Sequence, residues 1–105
     1  MDERSGAVNF GYLEGFASGD DRLVREVLKV FCAEAVEWGE RLDNDPENWG
    51  RVIHTMKGTS RSIGADGLGD LCERAETVGP QALPEVRKAL DAVIAEVRRY
   101  LEALN

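Results

Sequence analysis

Between residues 21 and 42, Leu23, Val27, Phe31, Ala35, Trp38 and Leu42 recur at intervals of three or four, with Val24, Leu28 and Cys32 alongside them. That spacing is the period of an α-helix and commits the stretch to burying one face. The pattern returns downstream. Trp49, Val52, Ile53, Met56, Ser60 and Ile63 mark a face within 46–63. Leu68, Leu71, Cys72, Ala75 and Val78 do so within 66–78, and Val86, Leu90, Val93, Ile94, Val97, Leu101 and Leu104 within 84–104. A shorter helix over 8–17 is predicted from Phe10, Leu13 and Phe16, weakened by Gly11 and Gly15. No alternating β-branched run and no Asn-Gly hairpin signal competes.

The punctuation agrees with this division. Ser18 or Asp20 is placed to cap the second helix, Asp45 to cap the third with Pro46 at its first position, and Asp66 to cap the fourth. Gly64 suits a left-handed helix end, and Gly79-Pro80 stops the fourth helix. Long helices joined by a few residues pack as antiparallel neighbours. The expectation is all-α: an up-and-down antiparallel four-helix bundle with an additional short N-terminal helix across one end or side. The whole, residues 1–105, is expected to be a single domain.

Charge narrows the function. The formal net charge is −7, which repels nucleic acid and anionic lipid, so neither is an expected partner. No apolar run approaches the ~20 residues of a membrane span. The first residues, acidic and broken by glycine, do not resemble a signal peptide, and the expected location is the cytoplasm. Cys32 and Cys72 have no metal-ligand spacing and read as thiols at apolar helix positions.

His54 is the only histidine. On the wheel of the third helix it lies opposite the face of Val52, Ile53, Met56 and Ser60, so it points outward. Lys57, Gly58 and Arg61 follow it by three, four and seven residues, and Gly50 precedes it by four, all on its own side. A glycine inside a helix costs about 1 kcal/mol relative to alanine. At position 58 it removes bulk beside the imidazole, where something large can approach. A lone exposed histidine can equally be a merely solvated one. The chemistry best matched to a neutral imidazole with adjacent cations is attack on a phosphoryl group. Metal binding needs more ligands than one histidine supplies, and the glycines of "GADGLG" follow no strand and lack nucleotide-loop spacing.

The stretch "HTMKGTSRSIGADGLGDLCERAE", residues 54–76, resembles the signature of histidine-containing phosphotransfer (HPt) domains. The matching positions are His54, Lys57, Gly58, Thr59, Ser60, Ile63, Gly64, Leu68, Cys72 and Glu76, with Met56 where leucine is commoner. The resemblance implies a four-helix bundle with an extra N-terminal helix. It implies that His54 takes a phosphoryl group from the aspartate of one receiver domain and passes it to another. Lys57 would stabilise the phosphate and Gly58 would admit the partner. No cofactor is expected on this chain, and the reaction's Mg2+ would sit on the receiver. Arg61 is a candidate phosphate contact on geometry alone. Docking candidates are Gly50, Arg51 and Ser62 around the rim and Phe10, Leu13 and Phe16 on the first helix, of which one of the three is expected at the interface and the others in the core. The expected protein is a monomeric phosphocarrier, without kinase activity of its own. The alternative is an adaptor of the same shape that works without phosphorylation. Met1 favours a stand-alone protein over an excised kinase fragment.

Overall fold

The computed structural model describes residues 7–104. The reading of the first six residues as unlike a leader lies outside them. Five α-helices follow in order: α1 (Phe10–Phe16), α2 (Asp21–Asn44), α3 (Trp49–Ser62), α4 (Asp66–Val78) and α5 (Leu83–Leu104). There is no strand among the described residues. The two long helices, α2 and α5, pack on each other, α3 and α4 form the other pair, and α2–α3 and α4–α5 close the ring. This is the expected bundle. α1 lies against α2 and reaches both α5 and the α3–α4 turn.

The core runs through the centre of the ring. Leu28, Ala35, Ile53, Met56, Cys72, Ala75, Val86, Leu90 and Val97 have no accessible surface. Each large apolar side chain so enclosed contributes roughly 1.5–3 kcal/mol over its exposed state. Phe31 and Trp38 meet edge to face, with centroids 5.7 Å apart. Leu23 departs from the expected stripe and is 45% exposed, while the adjacent Val24 is buried. The row Leu23, Val27, Phe31, Ala35 advances four residues at a time and so rotates ~40° per step, ~120° in all. Val24, Leu28, Phe31, Ala35 and Trp38 alternate steps of four and three and stay on one face. Val78, expected inward, closes α4 and is exposed.

Of the two candidates for the cap of α2, Asp20 takes the position, its carboxylate accepting from the amides of Arg22 and Leu23. Two other caps differ from expectation. Asp45 does not cap α3: its carboxylate accepts from the side-chain amide of Asn48 at 2.7 Å, and a 3-10 turn over Pro46–Asn48 intervenes before α3 begins at Trp49. Asp66 lies inside the first turn of α4, with Ala65 at the cap, where its charge complements the helix dipole.

Gly64 behaves as expected and does more. Its φ of +88° ends α3, and a Cβ there would meet the carbonyl oxygen of Asn9 at 2.6 Å. Asn9 donates its amide to the Gly64 carbonyl at 2.9 Å. The α3–α4 turn thus doubles as the seat of the N-terminal segment.

Burial, with a smaller contribution from the charge of Glu76, pushes the Cys72 thiol up to about 12. Alkylation near pH 8 is therefore expected to spare Cys72 in the folded protein and to modify it in urea. Rapid modification under native conditions, read by mass spectrometry, would contradict the packing described here.

Candidate functional site

The inner face of α3 fixes the outer one. Val52, Ile53, Met56 and Ser60 are buried, so the helix cannot roll, and His54 stands outward with 74% of its side chain accessible. α4 packs alongside α3, held by Leu68, Gly69, Cys72 and Ala75. Glu76 follows Ala75 directly and stands one turn beyond Cys72. That places it at the margin of the α3–α4 seam, within reach of the side chains on the outer face of α3.

Glu76 joins two of the expected site residues. Its Oε2 lies 3.0 Å from His54 Nδ1, and its Oε1 accepts from Lys57 Nζ at 2.6 Å. The Lys57 ammonium, followed by the imidazole, holds the Glu76 carboxyl below its usual range. An ionised carboxylate only accepts hydrogen bonds. The proton of a neutral His54 is therefore assigned to Nδ1, which leaves the lone pair on Nε2. Nε2 is the nitrogen remote from Glu76.

Arg61 takes a different place from the one expected. Its guanidinium donates to Asp70 at 3.0 Å and to Glu73 at 2.6 Å, and these carboxylates raise its pKa. Its aliphatic stem lies over Gly69, where a Cβ would come within 2.6 Å of Cγ. Arg61 thus clamps α3 to α4, and the expectation of two cations flanking the imidazole reduces to one, Lys57.

The glycines on the histidine's side are open. A Cβ at Gly50 or at Gly58 would meet nothing within 4 Å. Neither has a positive φ. Packing within the chain thus gives no reason for glycine at either position. Arg51 and Ser62 are both exposed.

The three apolar candidates on α1 separate. Leu13 is 3% exposed and belongs to the core. Phe10 is half-buried and stacks on Tyr100, centroids 4.0 Å apart. Phe16 is 77% exposed and is the one left available to a partner.

The residue the sequence reading overlooked as a site member is Glu76. It was part of the quoted signature, but only the pairing of α3 with α4 brings it to the histidine, 22 positions away.

A helical bundle that holds an imidazole in the open, oriented by a carboxylate and beside a lysine, has the chemistry to present a nucleophile to another macromolecule. It does not enclose a small substrate. Residues 26–105 match the Hpt domain, and the chain belongs to that family. The crystal structure of the histidine phosphotransferase ShpA from Caulobacter crescentus is similar to it, with 43% identity, a TM-score of 0.87 and 94% of each chain covered. Among curated protein sequences, none matches the chain.

Proposed function

We propose that His54 is the phosphoacceptor of a cytoplasmic, monomeric phosphorelay protein, taking a phosphoryl group from a receiver-domain aspartate and returning it to another. The family supplies the phosphorelay role and receiver domains as its partners. The assignment to His54 is carried by one observation: the same carboxylate holds His54 Nδ1 at 3.0 Å and Lys57 Nζ at 2.6 Å.

The step follows from that arrangement. The Nε2 lone pair attacks phosphorus, the N–P bond forms, and the O–P bond to the aspartyl carboxylate breaks with its electron pair leaving on oxygen. The imidazole becomes cationic with its proton still on Nδ1, and the Glu76 carboxylate stabilises that charge. Lys57 has three N–H donors. One remains on Glu76 while others turn to the phosphoryl oxygens. In the reverse step the phosphoimidazolium is the leaving group. Mg2+ held by the receiver would supply the remaining charge neutralisation for phosphoryl transfer. The chain itself acts as a carrier, with no nucleotide-dependent activity of its own.

The direct test is incubation with a phosphorylated receiver domain. Label is expected on this chain, stable in alkali and lost in acid, with the phosphorus mapped by NMR to Nε2 of His54. A folded chain that binds receivers and takes no label would instead be the adaptor.

Gly58 gives a separate expectation. Gly58→Ala adds a methyl into open space and removes a mid-helix glycine, so it should stabilise the fold by up to about 1 kcal/mol. Transfer from a receiver should nonetheless slow, roughly tenfold or more, because a misplacement of the reacting atoms of about 1 Å is that costly. Urea denaturation and transfer kinetics on the same sample check the two opposed effects. A stabilised variant with unchanged transfer would remove the partner-clearance role.

A further inference from the structure

The seam between α3 and α4 carries more negative charge than the nucleophile can use. On α4, Asp70, Glu73 and Glu76 follow one another at intervals of three and share an edge. On the facing edge of α3 stand His54, Lys57 and Arg61. The turn at Gly64 makes the two helices antiparallel, so the order along one edge runs against the order along the other. His54 and Lys57 meet Glu76, and Arg61 meets Asp70 and Glu73. The cation of α4 itself, Arg74, pairs instead with Glu85 of α5.

Arg61 is seated to answer both carboxylates. One terminal nitrogen, Nη2, donates to Asp70 Oδ1 at 3.0 Å and to Glu73 Oε1 at 2.6 Å. Its stem crosses α4 at Gly69, where a Cβ would lie 2.6 Å from Cγ and 2.9 Å from Nε. Gly69 has no positive φ, and glycine inside a helix is unfavourable. The arginine stem is therefore the reason on this face for a position without a side chain.

Without that guanidinium the site would change in two ways. Glu73 is about one turn from Glu76, ~4.5 Å along the axis. The Lys57 ammonium is a point charge on a flexible stem, and it would divide itself between the two carboxylates. Asp70 and Glu73 would also stand uncompensated, roughly 5–10 Å along the seam from Glu76, and would oppose an approaching phosphoryl group. Lys57 and Glu76 are only about a quarter accessible, so water screens that field incompletely.

We propose that Arg61 is a positioning residue for the transfer: it withdraws Asp70 and Glu73 from the site, reserves Lys57 for Glu76 and the nucleophile, and touches no phosphate itself. This rests on the phosphoacceptor reading of His54 above. It adds that the charge at the reacting group is set by a residue that does not contact it.

The test compares the full chain carrying Arg61→Gln with one carrying Arg61→Gln, Asp70→Asn and Glu73→Gln together, each checked for helicity and urea unfolding. Two donors are used: phosphoramidate, which needs no docking, and a phosphorylated receiver domain. The single substitution should slow labelling by both donors roughly tenfold, the size expected of two unit charges about 10 Å from the reacting atoms. With the receiver the loss should fall on kcat more than on KM. The triple variant should return to within about twofold of wild type, because the charges that Arg61 answers are gone. Both variants lack the clamp between α3 and α4, so a purely structural role predicts the same loss in each. A direct contact between Arg61 and the phosphate predicts that too. Equal loss in the two variants therefore overturns the proposal. A deficit with the receiver alone also overturns it and makes Arg61 a docking contact. So does a single variant that matches wild type with both donors. A wild-type chain labelled by neither donor overturns the phosphoacceptor reading itself, a failure seen before any variant is compared.

Discussion

Replacing His54 with glutamine should reduce phosphoryl acceptance to background, from receiver and small-molecule donors alike, and leave the bundle folded. The side chain is 74% accessible, and the hydrogen bond it loses is the one to Glu76. Surface changes of this kind shift stability by no more than about 0.5 kcal/mol. The Lys57–Glu76 pair, at 2.6 Å and with both side chains only about a quarter accessible, survives the change. Chemically the loss is complete. The amide nitrogen of glutamine has its lone pair delocalised into the carbonyl and does not attack phosphorus. The sequence holds no second histidine to take over. The measurement is label on the chain after incubation with a phosphorylated receiver, alongside a urea unfolding curve. Acid-labile label at the wild-type rate on a folded His54→Gln variant would move the acceptor elsewhere.

How much of the fold and the site is legible in the sequence depends on how local each signal is. The outward imidazole was legible because Val52, Ile53, Met56 and Ser60 fix the rotation of α3 by themselves. The turn at Gly64 was legible for the same reason, since a left-handed end follows from one residue type. Leu23 was misplaced because a row of four-residue steps looks apolar in sequence while winding off the core in space. Asp45 was misplaced because a carboxylate near a helix start has competing local partners, here the side chain of Asn48. Arg61 and Glu76 were beyond local reading for a single reason. Both act across the α3–α4 seam, and which acidic residue of α4 meets which basic residue of α3 depends on the register of two packed helices. Asp70 and Glu73 take Arg61, and Glu76 is left for Lys57 and His54. That register, not the composition of α3, decides that Lys57 rather than Arg61 shares a carboxylate with His54.

Glu76→Gln tests the tautomer argument more sharply than deletion of the side chain does. The amide keeps the size of the carboxylate but has one acceptor and one donor end. Lys57 can only donate, so it takes the amide oxygen. The NH2 group is then turned to His54 and donates to Nδ1. The ring proton is driven to Nε2, the nitrogen that must attack, and the developing imidazolium also loses its counter-charge. Transfer should fall by roughly a hundredfold, the lower end of what positioned proton control supplies in catalysis, with little change in unfolding. Glu76→Ala should be milder, because it leaves the ring free to use either tautomer and releases Lys57 to the phosphoryl group. The tautomer is read from the imidazole 15N shifts. The Glu76 carboxylate should stay ionised throughout the neutral range. The Glu76 carboxyl is held below its usual value by Lys57 and then His54, so its contribution is complete above the ordinary glutamate pKa and is lost only as pH falls through the lowered one. A Glu76→Gln variant that keeps the proton on Nδ1 and transfers within twofold of wild type would show that the carboxylate does not choose the attacking nitrogen.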